Sequence, residues 1–444
     1  MASSAKSVVS AEGLAGEQTL TQGLVELIRA RPISQNDLDV MALFVMDGLA
    51  NMLAGRNSIP GRALLAWSEG RQGDAGRRAL LMGGLMHILE VDDLHRASVT
   101  HPSCTVIPAA LALAQSTGAD GGTFLRATLQ GFEAIARVGM AVGQEHYKIW
   151  HNTATCGPYG AAMASAALLG LDDDQTVHAL GNAGTQSAGL WEFLATGAMS
   201  KHLHAGRAAE AGVVSAELAA VGFTGPPAIL EGPQGFFAGA CPDPDPGAVL
   251  RAPDAPWQVH FSSIKPWPSC RHTHPSIDAA LELSGKIHPD SIAAIDVSTY
   301  QAAVDVCDRA APDTLYGAKF SLQHCVASAL AKGSVVFDSF ETDQRGEMAM
   351  LRNLTTVRAG EPYRSAYPTA WGSEITVTLK DGSKIAAARK DCKGDPELPV
   401  NRDELIAKAR DLLAYGGVKD VDGVIESILA MADGGKLFDY NLTD

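Results

Sequence analysis

Residues 37–55 read DLDVMALFVMDGLANMLAG, and the reading of this stretch decides the fold. Its apolar residues recur at helical spacing over five turns and a glycine closes the run, the pattern of an amphipathic or buried helix. The same texture returns at residues 159–171, YGAAMASAALLGL, and in segment after segment from about Leu20 to Gly222. Such a succession predicts a helical bundle. Residues 223–236, FTGPPAILEGPQGF, and 240–257, ACPDPDPGAVLRAPDAPW, break it with a density of proline that no helix tolerates, which puts a connecting region near residues 224–262.

Beyond it the texture changes. IAAIDVSTY (292–300) and EITVTLKDGSKIAAARK (374–390) alternate like strands, the second with Asp381-Gly382 as a hairpin turn. Helical patterns at THPSIDAALELSGKI (273–287) and SLQHCVASALAKG (321–333) lie between them, and the tail from Asp403 to Met431 is helical again. The expected fold is mainly α with a second α+β domain. Residues 1–262 form a helical domain, 263–393 a smaller α+β domain, and 394–444 are helices that return to the first.

At 444 residues the chain exceeds the size at which a single core stops growing. A formal net charge of −15 excludes a nucleic-acid backbone as partner, because such binders carry a basic face. Seven cysteines without C-x-x-C spacing point to reduced thiols and a cytoplasmic setting. The opening MASSAKSVVS lacks the apolar core of a signal peptide, and no uninterrupted apolar run of about 18 residues suggests a membrane span.

Four clusters could carry chemistry. EVDDLHRASVTHPSCTVIP (90–108) packs Glu90, Asp92, Asp93, His95 and His101 into one helix-to-loop transition. Buried like charges are costly, so such a cluster is solvated, paired with cations or used for proton transfer. EHYKIWHNTATCGPYGAA (145–162) places His151 at a helix start, where one ring nitrogen can face a cleft. TGAMSKHLHAGRAAEAG (196–212) gathers Lys201, His202, His204 and Arg207, cations suited to a carboxylate. SSIKPWPSCRHTHPSIDAAL (262–281) does the same at the domain junction with Lys265, Arg271, His272 and His274. The His-x-His pair lacks a third ligand at metal-binding spacing, and Cys270 reads as a buried, inert thiol. Neither a P-loop nor a dinucleotide fingerprint is present.

In this order, the acidic EVDD…THPS, WHNTATCGPYGAAMASAALLGLD, TGAMSKHLHAGRAAEAG, KPWPSCRHTHPSIDAAL and AKFSLQHCVASAL motifs closely resemble the MmgE/PrpD family over nearly the whole chain. The family includes dehydratases, decarboxylases and epimerases of small carboxylic acids. The resemblance implies a large helical domain formed by both chain ends, a smaller α+β lid and a homodimer. It implies proton transfer without metal or cofactor on a citrate- or aconitate-like di- or tricarboxylic acid, in a cleft between the domains. Lyase chemistry is the leading expectation, with epimerisation of a dicarboxylate such as an iminodisuccinate-type compound, or carboxylate binding without catalysis, as alternatives. His101, His151, Asp92, Asp93 and Lys201 are the expected catalytic residues. Lys265, Arg207, Arg271, His272, His274 and Glu90 are expected to bind substrate, with Tyr316 as a candidate lid tyrosine. Where the family often has aspartate at the head of the acidic motif, this chain has Glu90, one methylene longer.

Overall fold

The computed structural model describes residues 18–70 and 73–439. The N-terminal segment read against a signal peptide lies outside them. The Gln35–Gly55 helix forms as its pattern demands, opened by a capping box in which the Ser34 hydroxyl accepts from the Asp37 amide and Asp37 returns the bond to the Ser34 amide. It is apolar on nearly every side because it runs through the middle of a core. Although long and apolar enough to cross a membrane, most of its apolar stretch is buried within the protein.

Around it stand helices Leu20–Ala30, Ala75–His87, Ser103–Thr117, Gly121–Ala141, Asn152–Leu168, Asp173–Gly184 and Ser200–Ala220. Small residues let them approach closely. A Cβ at Gly206 would lie 2.3 Å from the Leu80 carbonyl oxygen, and one at Gly83 would lie 3.1 Å from the Gly206 Cα. Only glycine allows the Ala75–His87 and Ser200–Ala220 helices to touch backbone to backbone at those points. That approach matters below, because the first helix leads into Glu90 and the second carries Lys201.

Leu405, Leu412, Leu413, Ile425 and Ile428, from helices Arg402–Tyr415 and Val421–Ala430, belong to the same apolar cluster as Leu24, Met46 and Phe132. The Pro/Gly-rich connection is no loose linker. It folds into short turns that bury Phe236, Phe237, Val249 and Trp257 in this core.

A second core, from Ile277 to Ala387, is built on a four-stranded sheet in the order Thr355–Ala359, Ile292–Thr299, Ser373–Leu379, Lys384–Arg389. The first two strands are parallel and the rest antiparallel. Helices His274–Leu283 and Leu322–Lys332 contribute Ile277, Leu283, Val326 and Leu330 to it. The predicted hairpin turns at Asp381-Gly382, with Gly382 at φ 86°. The parallel strand Thr355–Ala359 was not expected; at five residues, two of them threonine and one arginine, it carries little apolar signal. A third cluster, with Leu94, Tyr300, Phe320 and Trp371, joins the two cores.

Candidate active site

The Ala75–His87 helix stops at His87, and the chain turns sharply through Glu90, a non-glycine residue at φ 61°. Such a left-handed conformation costs an ordinary residue about 1–2 kcal/mol and survives only where the surroundings fix it. Here they do. Lys201, in the first turn of Ser200–Ala220, donates to both Glu90 carboxylate oxygens, at 2.6 and 2.7 Å. Lys265 donates to the Glu90 carbonyl at 2.8 Å and lies 3.5 Å from Asp92 Oδ1. Glu90 is 1% exposed and Lys265 likewise 1%. Burial alone would raise the Glu90 carboxyl, but Lys201 and Lys265 outweigh it and hold it well below the usual carboxylate range. Reciprocally, Glu90 overcomes the effect of burial on Lys201 and keeps its ammonium charged.

Two histidines complete the cluster. His101 Nδ1 lies 2.5 Å from the Asp93 carbonyl. A carbonyl only accepts, so Nδ1 carries the proton and Nε2 keeps its lone pair. His151 is the N-cap residue of Asn152–Leu168 but makes no side-chain cap. Neither of its buried ring nitrogens has a hydrogen-bond partner among the described residues, an uncommon condition for buried polar atoms. The imidazole is held between His87, with centroids 5.8 Å apart, and Trp191, at 4.8 Å. Burial first, then Lys201, pushes the His151 titration far down; burial and Lys265 do the same to His101 against the pull of Asp92. Both rings are therefore neutral bases at neutral pH.

The two aspartates diverge. His87 donates from Nδ1 to Asp92 Oδ2 at 2.6 Å. With Lys265 it overrides burial and keeps Asp92 ionised. Among the described residues no cation pairs with Asp93, and burial followed by repulsion from Asp92 raises it well above the carboxylate range. It accepts the Ser103 amide at 3.1 Å and so shapes the start of the next helix.

His101, His151, Lys201, Lys265, Glu90, Arg271 and His272 share the wall of one cavity of about 30 Å³. Arg271 is bound to Asp395 through Nη2, while its buried Nη1 has no partner among the described residues. His272 donates or accepts through Nδ1 at 2.7 Å from the Tyr300 hydroxyl and stacks on Trp371. Tyr316 brings its hydroxyl within 3.5 Å of Glu90 Oε1, so the candidate tyrosine does reach the site.

Three expectations come out differently. Arg207 is exposed, pairs with Glu210 and faces a separate outer groove, because six residues at 3.6 per turn leave it about 120° around the helix from Lys201. His274 lies behind the cavity wall, with Nε2 3.3 Å from the Ser269 carbonyl. Cys270 lines the cavity and is half-buried, the one cysteine among the seven that is not fully buried. A contact with the Cys307 thiol lowers its titration, and Lys201 adds to the effect against burial. His87 and Lys319 were missed altogether. His87 sits at the end of a helix with no motif around it, and Lys319 stands in AKFSLQHCVASAL without a charged neighbour.

His87, Asp92 and Cys104 place one ligand atom each within 4.8 Å of one another. The trio suits a metal poorly. Asp92 is committed to His87 and Lys265, and burial followed by the two aspartates drives the Cys104 thiol away from the thiolate a metal needs.

Residues 24–248 match the MmgE/PrpD N-terminal domain and residues 267–431 the MmgE/PrpD C-terminal domain. The chain belongs to the MmgE/PrpD family. Among its curated relatives is the cis-aconitate decarboxylase-like protein oryM of Aspergillus oryzae, 31% identical over 366 residues, which cover 75% of this chain and 74% of the relative. The cis-aconitate decarboxylases of Mus musculus and Homo sapiens are 26% and 25% identical, each alignment covering 80% of this chain and 76% and 77% of the relative.

Proposed function

We propose that this MmgE/PrpD protein is a cofactor-free lyase that removes carbon dioxide or water from a citrate- or aconitate-like acid. The observation that carries the reading is the cavity itself: two neutral histidines with unused nitrogens face buried cations that can hold carboxylates. Elimination or decarboxylation next to a carboxylate builds negative charge on carbon. Lys265 and the free Nη1 of Arg271 stabilise that charge, and His101 or His151 removes or returns the proton. Lys201 acts through Glu90, which it orients, and becomes a carboxylate ligand if substrate displaces the Glu90 side chain.

A space of about 30 Å³ holds roughly one water. In this reading the α+β unit is a lid that opens for substrate to enter and closes over it. A larger cleft of about 590 Å³ shares Val99, Tyr147, Trp191 and Val306 with the cavity and is the proposed route.

Because Glu90 occupies Lys201 and Arg207 stands outside, fewer cations are free than a tricarboxylate would use. This favours epimerisation of a dicarboxylate as the second reading. A panel of tricarboxylic and dicarboxylic acids, followed by proton NMR, tests both. New vinylic signals or released carbon dioxide support the lyase; a product of unchanged formula and inverted configuration supports the epimerase; no turnover of any member contradicts both.

A further inference from the structure

Three consecutive carbonyls at the strained turn are each held by a different ammonium. Lys319 Nζ donates to Leu89 O at 2.7 Å, Lys265 to Glu90 O at 2.8 Å and Lys408 to Val91 O at 2.7 Å. Lys265 and Lys408 stand next to residues of the helical core, Ile264 and Leu405–Ala409. Lys319 alone comes from the other side. It ends the short Leu315–Lys319 helix, whose Ala318 belongs to the second core and whose Tyr316 approaches the Glu90 carboxylate. One helical turn thus touches the Glu90 turn at its side chain and its backbone. The Lys319 carbonyl also accepts the Cys270 amide at 2.9 Å, which ties it to the KPWPSCRH segment.

A backbone carbonyl can be held by a neutral donor, and burying an ammonium at 4% exposure is costly. The charge balance shows what the ammonium adds. Around the Glu90 turn, behind the cavity wall, the ammoniums of Lys201, Lys265 and Lys319 accompany the carboxylates of Glu90 and Asp92, since Asp93 is protonated, Arg271 is matched by Asp395 and Lys408 by Asp47. Summed over these lysines and carboxylates, with His87 counted only as the hydrogen-bond donor to Asp92, the charges cancel without Lys319. With it, one positive charge remains for an anion. Burial, and then repulsion from Lys265 and Lys201 against the attraction of Glu90 and Glu341, lowers its titration to about 8, so it stays charged at neutral pH.

We infer that Lys319 is a positioning residue that clasps the α+β unit onto the Leu89–Glu90 turn and supplies the excess positive charge by which the closed site holds a carboxylate substrate. The inference rests on the proposed carboxylate chemistry, but its test does not need turnover. Hydrogen exchange of the peptides spanning residues 88–93, and calorimetric affinity for citrate and succinate, are compared in wild type, Lys319→Met, Lys319→Gln and Lys319→Arg. Lys319→Met is expected to speed exchange at the turn about tenfold and weaken binding of the anions about tenfold, the effect of one charge contact. Lys319→Arg restores both to within about threefold, and Lys319→Gln, a donor without charge, restores protection but not affinity. Should Lys319→Met not fold, the contrast between Lys319→Gln and Lys319→Arg decides. Unchanged exchange and unchanged affinity, or equal affinity in the Gln and Arg variants, overturns the inference. Failure of every acid in the panel to react, with the exchange contrast intact and anions still bound, would instead count against the proposed reaction and leave the clasp standing.

Discussion

Replacing Lys201 by methionine removes both hydrogen bonds to Glu90 and leaves a carboxylate that is 1% exposed. Removing one partner of a buried ion pair costs about 3–5 kcal/mol, because the remaining charge is stranded. Lys265 Nζ stays 3.8 Å from Glu90 Oε2 and compensates in part, so the expected loss lies near the lower bound, about 3 kcal/mol. Glu90→Gln strands the opposite charge on Lys201, at a cost of about 2–3 kcal/mol. The double variant Lys201→Met/Glu90→Gln strands neither. Its loss should therefore fall short of the sum of the two by about 2 kcal/mol or more. Urea unfolding followed by tryptophan fluorescence gives the four free energies. Additivity within about 0.5 kcal/mol would show that the two groups do not depend on each other and would refute the reasoning that the strained turn is held by this pair.

Other outcomes follow from the same interior. His95 is buried and burial lowers its titration from 6.5 to about 4; the unfolded chain then binds more protons between those values, so stability is intact above pH 6.5 and falls as pH drops toward 4, by up to about 3 kcal/mol from this residue alone. Thermal unfolding at pH 7 and pH 5 checks this, and an equal midpoint at both would contradict it. Exhaustive chelation should leave turnover unchanged, and activity lost with a metal and restored by adding it back would contradict the cofactor-free reading. We also propose a homodimer: light scattering at micromolar concentration should give twice the mass of the chain, and an active monomer would remove the claim.

Where the sequence was legible, short-range physics was in control. The helical period of residues 37–55, the prolines at 242–256 and the Asp381-Gly382 turn each determine their own element, and each formed as read. The Thr355–Ala359 strand was illegible because it owes its place to parallel pairing with Ile292–Thr299, an interaction distant in sequence. The site follows the same division. The acidic motif, His101, His151, Lys201 and Lys265 were visible as motifs. That His101 presents Nε2, that Asp92 and Asp93 carry different charges and that Arg207 turns away depend on which carbonyl or cation stands opposite. Cys270 was read as inert because a cysteine's exposure is set by its neighbours rather than its own position. His87 gave no local signal: a histidine ending an apolar helix looks the same whether or not a carboxylate waits five residues on.

The central claim is that His101 and His151 move a proton at carbon while buried cations hold the carboxylates. Turnover in heavy water of whichever acid in the panel reacts, with deuterium followed by NMR at the carbon next to the carboxylate, tests it most directly in wild type, His101→Ala and His151→Ala. The account predicts solvent-exchanged hydrogen at that carbon in wild type, and a loss of about 10²–10⁴ in rate in at least one of the two variants with folding intact. Two folded variants that react and exchange at the wild-type rate would contradict it.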